Sequence, residues 1–140
     1  MATLFNATCD YARLNTKVMN DVTALSLNYP VPTGPEATAR LSGHHEFTDE
    51  KVPLFNLKTA NADYGWVQAK PDAIKSAAPS DASKGKNGLG SVPWLKLNGV
   101  SGMYKEVYRV HTAGGAAPKT CEGQKSTFEV EYSAEYWFYA

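Results

Sequence analysis

The sequence has no excess of charge of either sign. Fourteen basic side chains balance fourteen acidic ones, and the Lys and Arg residues are spread along the chain. Non-specific binding of nucleic acid needs a concentrated positive face, so we expect no nucleic-acid partner. Apolar runs as long as a membrane span are also missing, because charges or proline interrupt the most hydrophobic stretches. We therefore expect no membrane partner.

Cysteine is scarce, and Cys9 and Cys121 are the only two in the chain. A disulfide between them would close a loop spanning most of the sequence, which the loop-entropy model values at about 4–5 kcal/mol. Two free thiols are the alternative, and the sequence leaves this open. Asn6 begins the only N-glycosylation sequon. Both features favour an extracellular protein.

A secretory signal peptide is also missing, because the first residues lack a basic segment followed by an apolar one. Two explanations fit this absence. Either the chain is the mature form of a secreted protein with Met1 added for expression, or it is made without a leader. We expect the first, an extracellular protein whose signal peptide is not part of this chain.

Alternation is the strongest pattern present, and it covers residues 126–139. Apolar side chains occupy every second position, and mostly polar or acidic ones lie between them. A β-strand sends successive side chains to opposite faces, so the pattern predicts a strand with one packed and one wettable face. A helical period would scatter the aromatic residues around a cylinder. The chain is therefore predicted to be rich in β-structure.

The rest of the sequence predicts short strands joined by long loops. Residues 71–91 are rich in Ala, Ser, Lys, Pro and Gly and are predicted to form a long surface loop. Pro53 favours an edge position for its strand, and Gly65 favours a β-bulge. We expect one all-β domain over residues 1–140, an antiparallel β-sandwich or distorted barrel with long loops. Candidate strands cover residues 22–29, 38–48, 52–57, 63–70, 92–97, 104–112 and 126–139.

Several segments resemble one known family. They are residues 41–47, 52–57, 92–97, 108–118 with a Gly-Gly-x-x-Pro block, Cys121, and 132–139. These segments are similar to a family of fungal and bacterial proteins catalogued only as a domain of unknown function. The resemblance implies a secreted protein, because most members are expected to be secreted. Members usually carry a further amino-terminal segment with its own cysteine, so we expect this chain to be a processed fragment.

Fungal members of that family are often labelled malate dehydrogenase, and the residues do not support the label. Gly85, Gly88 and Gly90 lack the Gly-x-Gly-x-x-Gly spacing of a dinucleotide-binding turn, and no alternating strand–helix pattern surrounds them. The resemblance supplies no catalytic residues. We expect no cofactor.

A histidine-rich segment offers the densest set of metal ligands or acid–base groups. His44 and Glu46 would share one face of a strand, and His111 on another strand would complete a three-ligand site. His45 would point to the other face. Ordinary surface or hydrogen-bonded core histidines are the favoured reading, so we assign neither catalytic nor metal-binding residues here.

Exposed aromatic residues are the more suggestive feature. Sugar rings present apolar C–H faces that stack on Trp or Tyr, while polar side chains bind their hydroxyls. The residues chosen for such a site are Trp66 and Trp137 as stacking platforms, with Asp63, Gln68, Arg109 and Glu135 as polar support. The sequence therefore favours a non-enzymatic, lectin-like protein that binds glycans or cell-wall polysaccharide.

Two alternatives from other classes remain. One is a small metal-assisted or general-acid hydrolase that uses His44, Glu46 and His111. The other is a self-associating structural or effector protein, in which a second copy of the chain covers the exposed aromatic face.

Overall fold

In the part of the chain that the structure describes, seven strands form one antiparallel sheet in which each of them pairs with the next. The structure is a computed structural model that describes residues 2–6 and 34–140. The candidate strand at 22–29 and Cys9 lie outside these residues. Within the described ranges, no helix is long and apolar enough to cross a membrane. The elements are β1 (Ala2–Phe5), α1 (Gly34–Arg40), β2 (Leu41–Phe47), β3 (Pro53–Lys58), β4 (Asp63–Ser76), β5 (Trp94–Gly102), β6 (Glu106–Gly114) and β7 (Tyr132–Tyr139).

The sheet curls into a half-barrel around one apolar face. Phe55 of β3 is fully buried, and its ring lies 5.2 Å from that of Tyr136 and 5.4 Å from that of Phe138 on β7. Strands that are distant in the sheet order thus meet across the inner face, so the sheet curls on itself. This confirms the all-β, antiparallel prediction and its distorted-barrel alternative. The inner core comprises Phe55, Leu57, Val67, Ala69, Leu97 and Val107.

A bulge in β4 contributes to the curl. The register between β3 and β4 shifts between Asn56 and Lys58, opposite the segment that contains Gly65. Gly65 has a φ of 80°, in the region where side chains beyond glycine are strained. The bulge that the sequence predicted at this glycine is therefore present.

Two strands are placed differently from the prediction. β3 lies inside the sheet, between β2 and β4, and not at an edge. Pro53 is compatible with this position because it is the first residue of the strand, where its missing N–H removes little pairing. β4 runs on to Ser76, so residues 71–76 belong to a strand and not to the predicted loop. Pairing of this extension with β5 provides the reason.

The boundaries of two other strands also differ. Residues 38–40 lie in α1, and β2 begins only at Leu41. β7 begins at Tyr132, so residues 126–131 form no strand although they alternate. Tyr132 pairs with Gly114, the last residue of β6. No neighbouring β6 residue is therefore left for the segment before Tyr132 to pair with, and Phe128 is 40% exposed instead of packed.

Candidate functional site

The outer face of β6 and β7 carries a shallow groove of about 370 Å³. Alternate residues of the two strands supply its lining, because the residues between them point into the core. The register sets Tyr108 opposite Trp137 and Glu106 opposite Tyr139, so two cross-strand pairs lie side by side. The outer-face groove is lined by Glu106, Tyr108, Val110, Trp137 and Tyr139.

Three aromatic rings dominate this groove. Trp137 is 39% exposed and Tyr139 is 50% exposed, which is high for large apolar side chains. The rings of Tyr108 and Tyr139 meet edge to face, with centroids 5.6 Å apart. This geometry is favourable for aromatic pairs and keeps the rings together on the open surface.

An ion pair borders the rings. The Lys96 ammonium lies 2.5 Å from one carboxylate oxygen of Glu106, and the Tyr108 hydroxyl donates a 3.0 Å hydrogen bond to the other. The hydrogen bond from Lys96 lowers the pKa of Glu106 and raises that of Lys96. Donation to Glu106 raises the pKa of Tyr108. At neutral pH the groove therefore holds a carboxylate, an ammonium and an un-ionised phenol in fixed positions.

Glu135 fixes the orientation of Trp137. Both side chains lie on the outer face of β7, and the indole Nε1 donates a 3.3 Å hydrogen bond to Glu135 Oε2. The same oxygen lies 3.0 Å from His111 Nδ1. A carboxylate that contacts both the indole and the imidazole restrains the plane of the Trp137 ring.

Arg109 lies on the other face of β6. The register sets it opposite Tyr136, whose ring packs on the core. Its Nε and Nη2 donate hydrogen bonds of 3.2 and 2.9 Å to the carbonyl oxygen of Pro93. The structure therefore does not bring Arg109 to the side of the sheet that carries Trp137.

The Trp66 surface is separate from the groove. Trp66 and Gln68 share the outer face of β4, which is the strand on the far side of β5 from β6. Trp66 is 36% exposed. Asp63 forms a 2.9 Å ion pair with Lys58 and accepts a 2.8 Å hydrogen bond from the Gly65 amide. The hydrogen bond from Lys58 is the main cause that lowers the Asp63 pKa.

Residues 1–140 match the family described as "Protein of unknown function (DUF3455)". The chain belongs to this family. Membership confirms the resemblance to a domain of unknown function and leaves its activity open. No curated protein matches the chain, and no solved structure does.

The candidate metal ligands do not converge in this family member. Throughout residues 2–6 and 34–140, no three His, Cys, Asp or Glu side chains form a group that could hold a metal ion. His44 and Glu46 lie on β2, whereas His111 pairs with Glu135 at β6 and β7. His45 is buried on the inner face, where its ring stacks on Phe55 at 4.1 Å.

Of the three residues that bear on secretion, Asn6 and Cys121 lie within the described part of the chain. Asn6 is exposed, and its side-chain amide donates a 3.4 Å hydrogen bond to the Tyr64 hydroxyl. Cys121 is an exposed free cysteine in the structure. Its predicted partner Cys9 lies outside the described residues, so the disulfide is not seen and stays a prediction.

Sequence reasoning missed Lys96, Glu106 and Tyr108 as members of one site. The alternation from Tyr104 to Thr112 already placed Glu106 and Tyr108 on a single face. Their approach to Lys96 depends on the pairing of β5 with β6, which sets Lys96 opposite Tyr108. Predicting this site would have required the register between β5 and β6, which is not determined by the local sequence.

Proposed function

We propose that this protein is a secreted, non-enzymatic binding protein that recognises glycans or cell-wall polysaccharide. The observation that carries the proposal is the outer-face groove, in which Tyr108, Trp137 and Tyr139 lie together beside polar groups. The core does not account for these rings, because Trp137 and Tyr139 point away from it. Exposed flat rings next to hydrogen-bonding groups are the arrangement that a sugar ring requires.

Each part of the groove has a role in this proposal. The indole of Trp137 and the ring of Tyr139 stack on the C–H faces of the sugar. Glu106 still has lone pairs with which its carboxylate can accept hydrogen bonds from sugar hydroxyls. Glu135 orients the indole and does not contact the sugar directly. Aromatic pairs contribute about 0.5–1.5 kcal/mol each beyond area burial. If a sugar ring stacks with a similar energy, a shallow groove with few rings predicts weak affinity for one sugar unit.

Extracellular location is part of the same proposal. Asn6 is exposed, as an acceptor for N-linked glycan must be. Cys121 is also exposed, and it is accessible for pairing with another thiol. Both observations support secretion. Expression in a secreting host, followed by mass spectrometry of the Asn6 and Cys121 peptides, tests them; an unmodified Asn6 and a reduced Cys121 would count against it.

A glycan array tests the binding proposal, with the native thiol state preserved. The purified protein should bind a set of glycans that share one epitope. Trp137→Ala should then reduce affinity by up to about tenfold, because it removes the largest stacking surface. Trp66→Ala is the matched control, since Trp66 has nearly the same exposure and lies on the same sheet outside the groove. A blank array would refute the proposal, and loss of binding in Trp66→Ala alone would place the site on β4.

Self-association is the second candidate, and the position of β7 favours it. This strand is the last in the sheet order of the described residues, and it carries two exposed aromatic side chains, Trp137 and Tyr139. A second copy of the chain would bury them by edge or face pairing. Sedimentation velocity over a hundredfold range of concentration tests this. A monomer throughout argues against it, whereas a Trp137-dependent dimer supports it over glycan binding.

A further inference from the structure

The charged side chains that border the outer-face groove already have partners within the described part of the protein. Glu106 is held by Lys96 and by the Tyr108 hydroxyl. Glu135 is held by His111. Farther out on the same face, Asp72 accepts a 2.7 Å hydrogen bond from the Asn98 amide. A ligand that enters this groove therefore meets one complete ion pair, Lys96–Glu106, and other carboxylates that already have hydrogen-bond partners.

The two members of the central ion pair differ in accessibility. The Glu106 side chain is 38% exposed, whereas the Lys96 side chain is only 16% exposed. The Lys96 ammonium also lies 5.8 Å from the centre of the Tyr108 ring, which covers it further. Solvent thus reaches the carboxylate more easily than the ammonium. Within the Lys96–Glu106 pair, the acceptor for sugar hydroxyls is accessible, whereas the ammonium that could bind a ligand carboxylate or sulfate is largely covered.

The shape of the groove suits an internal segment of a polysaccharide chain. Trp137 and Tyr139 are two residues apart on one strand, so their rings follow each other at roughly 7 Å along β7. The groove is shallow and lies on the open outer face of the sheet. Two rings in series can stack on successive sugar units, and an open groove does not require a chain end.

We infer that the groove selects an uncharged, extended polysaccharide segment that lies along β7, and that the Lys96–Glu106 pair sets this selectivity. This inference rests on the proposed function. An acidic glycan brings its carboxylate towards Glu106, and Lys96 cannot turn to the ligand without leaving its partner. An amino glycan must compete with Lys96 for Glu106. A neutral glycan meets neither obstacle, because its hydroxyls can hydrogen-bond to Glu106 while the Lys96–Glu106 ion pair stays intact.

Calorimetric titration with three probes tests the inference at low ionic strength. The probes are a neutral β-glucan hexasaccharide, an oligogalacturonate and a chitosan hexasaccharide of similar length. The neutral probe should bind about tenfold or more tightly than either charged probe. Tighter binding of a charged probe would overturn the inference and leave glycan binding intact. If none of the three binds, and a wider array is also blank, the proposed function itself fails.

Two reciprocal variants test the role of the ion pair. Glu106→Gln releases Lys96 and should raise affinity for oligogalacturonate several-fold. Lys96→Gln releases Glu106 and should raise affinity for chitosan oligosaccharide instead. Lys86→Gln is the matched control, because Lys86 forms an exposed ion pair with Glu131 and does not line the groove. Circular dichroism confirms folding of each variant. Unchanged preference in both folded groove variants would show that the pair does not set selectivity.

Discussion

The two faces of β7 carry similar side chains in different surroundings. On the inner face, the ring of Phe138 lies 5.4 Å from those of Phe55 and Tyr104, and Tyr136 also packs on the core. On the outer face, Trp137 and Tyr139 remain 39% and 50% exposed. Folding explains the first pair, because its burial stabilises the half-barrel. It does not explain the second pair, whose exposure beside polar partners is the basis of the proposed binding role.

The hydroxyl of Tyr136 on the inner face also has a hydrogen-bond partner. Its hydroxyl lies 2.9 Å from that of Tyr132, so the buried polar atom has a partner. Burial is the main cause that raises the pKa of Tyr136, and the phenol stays un-ionised at any ordinary pH. The outer rings have no comparable role in the core. The comparison therefore assigns stability to the inner face and supports the proposed binding role of the outer face, and both can be tested.

Phe138→Ala should have the largest effect on stability. The change removes a ring that packs against two others and leaves a cavity in the core. We expect the free energy of unfolding to fall by about 3 kcal/mol, the lower end for such changes, because Phe138 is only partly buried. Urea unfolding followed by fluorescence measures this. A loss below about 1 kcal/mol would show that the inner face of β7 does not hold the half-barrel together.

Tyr139→Ala, at the next position, should have the opposite effect: it should lower ligand affinity and leave stability almost unchanged. Tyr139 is half exposed and makes one edge-to-face contact with Tyr108. We expect the urea midpoint to change little, since surface substitutions are usually almost neutral. Affinity for the glycan identified on the array should fall about fivefold, because one stacking ring is lost. If unfolding suffers as much as in Phe138→Ala, the division between the two faces is wrong.

Alternation allowed the two faces to be predicted from sequence, because the side-chain period of a strand is local. It correctly separated Trp137 and Tyr139 from Tyr136 and Phe138. Alternation alone did not locate the strand, since residues 126–131 also alternate but lack a neighbour to pair with. Glu135, predicted as polar support beside Trp137, lies on the same face and accepts a hydrogen bond from the indole, and its role towards a sugar stays a prediction.

The contacts between strands could not be predicted in the same way. The inner position of β3 and the approach of Lys96 to Glu106 both depend on which strands pair and in what register. Bulges such as the one at Gly65 shift that register, and their effect reaches residues far apart in sequence. The half-barrel therefore had to be seen before the groove could be assembled.

Protonation of His45 should weaken the inner face. His45 is buried beside β7, with its ring 5.9 Å from that of Tyr136. Burial is the main cause that lowers its pKa below the ordinary 6.5, against the opposing hydrogen bond with the Leu54 carbonyl. Between the lowered pKa and 6.5, the unfolded chain binds more protons than the folded one. Stability must therefore fall as the pH drops through this window, and level off below it as far as His45 is concerned.

Urea unfolding at pH 7.5, 6.5 and 5.5 measures this smaller effect, above the range in which carboxylates titrate. The wild-type protein should lose stability progressively from pH 7.5 to 5.5. His45→Phe keeps a flat ring against Phe55 but cannot be protonated, so its stability should depend less on pH. The quantity compared is the change in the free energy of unfolding with pH. A constant loss of stability from leaving the Leu54 carbonyl without its His45 partner cancels in this comparison. Equal pH dependence in the two proteins would show that His45 is not the group that titrates on the inner face.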